Sequence, residues 1–313
     1  MLNCVKSNNY EVDRRILIGG GSGLIGTRLT DLLTQKGYQV RHLGRTPREG
    51  AIRTFAWDIS KQTIDERAFE GVTAIINLAG ANVNGKRWTG AYKKELIDSR
   101  IISTRLLVNF LNNKPHTVKN FLCGTAIGYY GLSNKSTPYR ETDLPAADFM
   151  ARLVSDWEYE ASKVNDKNIK VAFVRTGIVL SAKGGALEEM ARPVKLLAGA
   201  PLGSGKQIVS WIHLDDICRI FIHILENDLS GPYNGVAPEP ASNAAITKAI
   251  AKALDKPLWL PNIPAFVLKI ILGEMSSAVV NGSTVSADKI RSTGFEFNYP
   301  SLDQALNREL RTP

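Results

Sequence analysis

The sequence predicts an α/β protein, a doubly wound parallel sheet with a smaller part on its C-terminal side. Two observations carry that reading. From Arg15 to Gly26 a short apolar run, Ile16-Leu17-Ile18, gives way to glycines at 19, 20, 21, 23 and 26. Leu24, Ile25, Leu29, Leu32 and Leu33 then follow at helical spacing as far as Gly37. Downstream, short apolar runs alternate with helical patterns at the pace of parallel strands and crossover helices.

The elements follow in order. The first unit reads as a buried strand, a tight turn and a helix. Its Gly20-x-x-Gly23-x-x-Gly26 spacing lets backbone approach a pyrophosphate closely and aims the positive helix end at it, which makes the unit Rossmann-type. A second strand over Gly37–Leu43 ends in Gly44-Arg45-Thr46-Pro47. A unit that reads NAD usually places an acid here, on the ribose 2′-hydroxyl. No Asp or Glu lies between Gly37 and Arg48; Arg45 and Arg48 stand there instead, which suits a 2′-phosphate and hence NADP(H). Ile52–Trp57 is a third strand, and Asp58 follows it where an adenine amino group could be capped. Ala74–Gly80 is a nearly all-apolar fourth strand, as a central parallel strand should be, and its small end residues leave room for a cofactor. A helix over Trp88–Leu111, a fifth strand over Val118–Cys123, a helix over Asp148–Lys163 and a sixth strand over Lys170–Val174 complete the pattern.

With 313 residues, 44% hydrophobic and 22% charged, the chain is long enough for one large domain with an appendage. The net charge of +9 is spread along the chain without a basic tract or an RNA-module signature, so no nucleic-acid partner is expected. It would favour an anionic cofactor or substrate. No apolar run approaches the ~20 residues that span a bilayer, so no membrane partner is expected either. The first 13 residues are polar, lack the apolar stretch of a secretory signal and read as an extension. Cys4, Cys123 and Cys218 are odd in number and far apart, which suggests reduced thiols in a cytoplasmic compartment. His42, His116, His213 and His223 are scattered, and no metal site is expected.

The stretches GGGSGLIG (19–26), GRTP (44–47), INLAG (76–80), GTAIGYYG (124–131), VRTGIVLS (174–181), LGSGKQIVSWIHLDD (202–216) and GVAPEPASN (235–243) resemble the extended short-chain dehydrogenase/reductase superfamily. More narrowly, they are similar to its epimerase-family branch, whose small C-terminal domain the tail from Pro264 to Leu306 resembles. The resemblance implies a Rossmann domain over 14–182 that binds NADP(H), and a substrate-side part over 183–313 with a possible return to the sheet around 208–240. It implies that Gly20, Ser22, Gly23, Leu24 and Ile25 wrap the pyrophosphate and that Gly44 and Arg45 sit at the 2′-phosphate. Leu78 and Ala79 would lie beside the cofactor, Glu95 and Arg100 would flank it, and Arg175 and Thr176 would lie near its nicotinamide end. The implied activity is that of an epimerase-like oxidoreductase on a small polar substrate, as a monomer or homodimer, or that of a regulatory NADP(H) binder without catalysis.

Extended members use a Ser or Thr with a Tyr-x-x-x-Lys pair, the lysine tuning the phenol that moves the proton. Thr125 occupies the hydroxyl position. Where the tyrosine should open the next helix this chain has Phe149, and Leu153 stands for the lysine; neither transfers a proton. The literal Tyr159-x-x-x-Lys163 lies ten residues further along, about 15 Å down the helix, and is read as solvent-facing. Tyr129 and Tyr130, on the loop after Thr125, are the acid/base candidates, with an aromatic pocket wall as their other reading. Asn82, Asn84, Arg87 and Trp88 line the substrate side or form an ordinary loop and helix cap; Phe149 and Trp211 complete the expected substrate contacts. His213 and Asp216 read as structural. Gly203-Ser204-Gly205-Lys206 lacks the spacing and the following Ser or Thr of a phosphate loop.

Overall fold

The computed structural model describes residues 14–132 and 137–311, so the expected extension over 1–13, with Cys4, lies outside the described residues. Strands β1 (Arg15–Gly19), β2 (Gln39–Gly44), β3 (Arg53–Asp58), β4 (Thr63–Ile64), β5 (Val72–Asn77), β6 (Asn120–Ala126) and β7 (Lys170–Thr176) follow one another in the first part. Helices α1 (Leu24–Gln35), α2 (Gly90–Asn113) and α3 (Phe149–Ala161) connect them. The later strands are β8 (Ile178–Leu180), β9 (Ile208–Val209), β10 (Trp211–His213), β11 (Gly231–Gly235) and β12 (Ala241–Ser242). Among these later strands run α4 (Ala186–Lys195), α5 (Leu214–Glu226) and α6 (Asn243–Ala253); α7 (Ala265–Leu272), α8 (Ser276–Val280), α9 (Asp288–Ser292) and α10 (Leu302–Leu310) follow.

The main sheet runs β11-β7-β6-β5-β1-β2-β3-β4, parallel throughout except where β4 turns back on β3. Strand order reverses between β1 and β5, and ligands of open α/β sheets bind outside the strand ends at such a point. Alternation along each strand divides the core. Ile16, Ile18, Ile76, Leu122 and Val174 face one layer, where Ile217 and Phe221 of α5 meet them. Leu17, Ile75, Phe121 and Cys123 face the other, with Leu107 of α2 and Trp157 of α3. A separate cluster of Leu187, Trp211, Ile246, Ile250 and Leu306 holds the C-terminal helices together. Residues 231–235 pair with β7 and so close the sheet on that edge.

Helix ends follow their sequence signals. Asp148 caps α3 by accepting from the Ala151 amide at 3.0 Å, and Thr89 caps α2 from the Tyr92 amide at 3.2 Å. The start of α1 differs: Gly23 stands at its N-cap and no side chain caps it.

Candidate active site

The turn between β1 and α1 is built for close approach. Gly20 has φ +78°, and a Cβ there would stand 2.8 Å from the carbonyl carbon of Leu78. A Cβ on Gly26 would collide with the Gly20 carbonyl oxygen, so the helix packs directly on the turn. The result is a side-chain-free cradle facing the uncapped, positive end of α1.

From this turn a cavity of about 1110 Å³ extends over the ends of β1, β2, β3 and β5. That is slightly above the roughly 300–1,000 Å³ usual for ligand sites. Gly20, Ser22, Gly44, Arg45, Asp58, Ala79, Asn82 and Glu95 of the expected residues line it. Gly23, Leu24 and Ile25 lie in the turn and first helical residues beneath, and Leu78 is held by its amide donating to the Gly19 carbonyl at 2.8 Å. Arg45 is exposed on the cavity wall and has no ion-pair partner among the described residues. Asp58 is held below the usual carboxylate range by bonds from the Ser60 hydroxyl and the Lys61 amide. Glu95 pairs with Lys86 across 3.4 Å. A smaller cavity of about 420 Å³ beside Phe69, Lys114 and His116 lies near the starts of β5 and β6, away from the glycine turn.

Arg100 stands behind the cavity wall. Its guanidinium donates to the carbonyls of Leu96 and Ala81 at 3.1 and 3.0 Å and lies against Gly80. Burial pushes it down to about 10, with no carboxylate partner among the described residues. Asn77, which the sequence reading passed over, fixes the same wall: its Nδ2 donates to Thr104 and its Oδ1 accepts from the Ala79 amide.

The expected catalytic residues are corrected in part. Thr125 is buried and its hydroxyl donates to Glu158 Oε1 at 3.0 Å, so it is not presented to a substrate. Strand alternation is the reason: Thr125 points with Cys123 into the α2/α3 layer. Tyr130 is also buried. Its hydroxyl donates to Asn234 at 2.7 Å and accepts from Arg175 at 2.9 Å, and burial pushes it up to about 12. It is held in the core, its hydroxyl taken up by these two partners. Arg175 is clamped to Glu158 by two bonds of 2.9 and 2.7 Å. Burial works against its charge, but Glu158 holds it above the usual range. Tyr129 is half-buried, its ring 3.4 Å from this guanidinium, and its hydroxyl has no hydrogen-bond partner among the described residues. Thr176, half-buried at the end of β7, donates to the Val174 carbonyl at 3.2 Å.

On the substrate side, Trp88 and Leu153 are buried with Tyr92 and Leu96, and Phe149 and Met150 pack against them. Phe149 meets Trp88 edge-on, ring centroids 5.6 Å apart. The Trp88 indole donates to Val83 at 3.0 Å. Arg87 reaches across to the end of α7, where its guanidinium donates to the carbonyls of Ile270 and Ile271, the latter at 2.9 Å. Trp211 is corrected: it is wholly buried in the C-terminal core and donates to the Glu239 carbonyl at 2.8 Å. Tyr159 is exposed, with Lys163 over its ring and bonded to Glu160 at 2.8 Å. His213 accepts from the Asp215 amide and pairs with Glu309 at 2.9 Å, while Asp216 accepts from the Asn298 and Tyr299 amides. Among the described residues no cluster of His, Cys, Asp and Glu could hold a metal ion, and no helix is long and apolar enough to cross a membrane.

A dinucleotide-type cleft at the sheet's reversal point defines the class. The chain belongs to the NAD dependent epimerase/dehydratase family, whose model matches residues 16–237; a domain of unknown function (DUF1731) matches residues 263–309. It is 36% identical to the human epimerase family protein SDR39U1, covering 93% of this chain and 98% of that one. It is 34% identical to the epimerase family protein YfhF of Bacillus subtilis, over 94% of this chain and 97% of that one. The crystal structure of the human SDR39U1 protein (isoform 2), solved with NADPH, matches with a TM-score of 0.87 at 32% identity, over 96% of this chain and 100% of that one.

Proposed function

We propose that this chain binds NADP(H) in the cleft and works as an epimerase-like oxidoreductase on a small polar substrate. Arg45 carries the reading: an unpaired guanidinium on the wall beside the β2 end, with no acid from Gly37 to Arg48, suits a 2′-phosphate. NADPH in the human relative supports it. The residues fit such a group, because the cradle at Gly20 and Gly26 is one that any Cβ would fill. Gly20, Ser22, Gly23, Leu24 and Ile25 would hold the pyrophosphate, Gly44 and Arg45 the 2′-phosphate, and Asp58 the adenine side. A bound nicotinamide supplies hydride transfer. Of Thr125, Tyr129 and Tyr130, only Tyr129 has a hydroxyl without a hydrogen-bond partner among the described residues, and it is the group assigned to hold or move a proton. Buried, unbridged Cys123 and Cys218 suit a reducing, cytoplasmic compartment.

The test is titration with NADPH and NADH, followed by nucleotide fluorescence. Preference for NADPH of tenfold or more, about 1.4 kcal/mol, is expected; equal or NADH-favoured binding overturns the Arg45 assignment. A second reading, a regulatory NADP(H) binder without turnover, is favoured by Phe149 and Leu153. Substrate-dependent NADPH oxidation across carbonyl compounds and nucleotide sugars would rule it out, and loss of that turnover in Tyr129→Phe would support the proton role.

A further inference from the structure

The C-terminal helix reaches the cofactor side of the molecule through one carboxylate. Strands β8 and β10 lie parallel and end level, with Leu180 paired to His213. From β8 the chain passes through Ser181-Ala182-Lys183-Gly184-Gly185 into α4, and from β10 it enters α5 directly. Glu309 of α10 stands at both exits. Its Oε2 accepts from the Ala182 amide at 2.5 Å, and its Oε1 lies 2.9 Å from His213 Nε2. His213 Nδ1 accepts from the Asp215 amide at 3.0 Å, so the ring proton sits on Nε2, the side that Glu309 occupies. Burial acts to raise Glu309, but His213 and the Ala182 amide hold it below the ordinary carboxylate range. Leu306, one turn before Glu309, shares a buried cluster with Leu180 and Leu187, which flank the loop.

That loop bears on the glycine turn. Gly185 has φ +77°, and a Cβ there would stand 3.3 Å from Leu24 Cδ2, so the end of the loop lies against the first residue of α1. Helix α1 is gripped from α5 as well. Arg28 donates to Asp215 at 2.6 and 3.0 Å, and the Cys218 thiol donates to the Ile25 carbonyl at 3.7 Å. The first amides of α1 have no side-chain cap, so their direction rests on what packs round the helix's first turns. Glu309 therefore reaches those turns by two routes, through the loop to Leu24 and through His213 and Asp215 to Arg28.

We propose that Glu309 is a positioning residue of the cofactor site, holding the 181–185 loop against Leu24 so that the uncapped start of α1 stays aimed at the pyrophosphate. The inference rests on the NADP(H) reading of the cleft. It gives the segment matched as a domain of unknown function a task at the nucleotide. The test is fluorescence titration of Glu309→Gln with NADPH and with NADH, at a temperature where melting shows the variant folded. Glutamine keeps the shape of the side chain but turns an NH2 toward one of its two partners, the Ala182 amide or His213 Nε2. A loss of about fivefold or more is expected for both nucleotides alike, because the pyrophosphate is common to them. Hydrogen exchange should quicken in the peptide spanning residues 20–30. Arg311→Ala is the control, since Arg311 ties the end of α10 to the Ala253 and Lys252 carbonyls instead. It should lower the melting temperature while both affinities stay within about twofold and the 20–30 peptide exchanges as in the parent. Unchanged affinity in Glu309→Gln, for a parent that binds NADPH, overturns the inference and leaves the cleft reading standing. An equal loss in Arg311→Ala overturns it in favour of a general loosening of the helix. A parent that binds neither nucleotide overturns the cleft reading, and this inference with it.

Discussion

At the ends of β1 and β2 the molecule offers a ligand backbone and exposed charge: the bare turn at Gly20, the uncapped start of α1 and the unpaired Arg45. At the ends of β6 and α3 it offers almost nothing polar. Thr125 and Tyr130 spend their hydroxyls on Glu158 and Asn234, and Phe149 and Leu153 pack on Trp88. The difference is one of investment. The first region leaves Arg45 and the start of α1 open for something that arrives; the second, Tyr129 apart, spends its polar groups internally and gains rigidity. Mutations should therefore separate the two, costing affinity in one region and stability in the other.

The largest effect is expected at Glu158. Glu158→Ala leaves Arg175 buried and uncompensated, and urea unfolding should show a loss of roughly 3–5 kcal/mol. A loss under 1 kcal/mol would mean that the pair is not the rigid element described. Gly20→Ala attacks the other region: a Cβ at φ +78° against Leu78 should cost roughly 2–4 kcal/mol of strain and displaced turn, read as lost nucleotide affinity in calorimetry. Arg45→Ala is sharper because it should weaken NADPH by roughly 1.5–3 kcal/mol and leave NADH and the melting temperature alone. Parallel losses for both nucleotides would blur the comparison.

The smallest effect lies on neither wall. Asp215, despite burial that acts to raise it, is held below its ordinary value by Arg28, and Glu309 likewise by His213. Carboxylates depressed in the folded state stabilise it fully above their unfolded values of 3.8 and 4.5, and that contribution fades as pH falls through the folded ones. Arg28→Ala should lower stability by about 0.5–1 kcal/mol at pH 7 and flatten the acid limb below pH 3.8 in thermal melts. An unchanged acid limb would assign that limb to other carboxylates.

How much of this was legible depends on what kind of signal each feature leaves. The parallel sheet and the glycine turn were readable because periodicity and glycine spacing are local properties: β1, β2, β3, β5, β6 and β7 fall within a few residues of the expected runs. The fate of Thr125 was not, because motif position says which residue stands at a strand end but not which face it points to. Its partner Glu158 left a usable trace, since Ala151, Val154 and Glu158 fall on the buried stripe of α3 at i, i+3 and i+7, where a carboxylate demands a cation. Trp211 was misread because a stretch resembling a substrate wall also carries the core of the C-terminal part. The outer face of α7, where Phe266 and Ile270 are exposed, gave no warning at all: an apolar octapeptide reads as core until tertiary packing leaves it outside.

The edge strand β11 sets an order of events. Its five residues cover the outer edge of β7, yet they are synthesised only after α4, β8, β9, β10 and α5 have emerged. Until then a nascent chain holds a half-finished sheet with an open, apolar margin, the geometry that pairs with neighbouring chains. The C-terminal part is thus no detachable appendage. A gene cut after β7 would release a sheet still waiting for its last strand, so the end of the cofactor half is not the natural place to divide this protein.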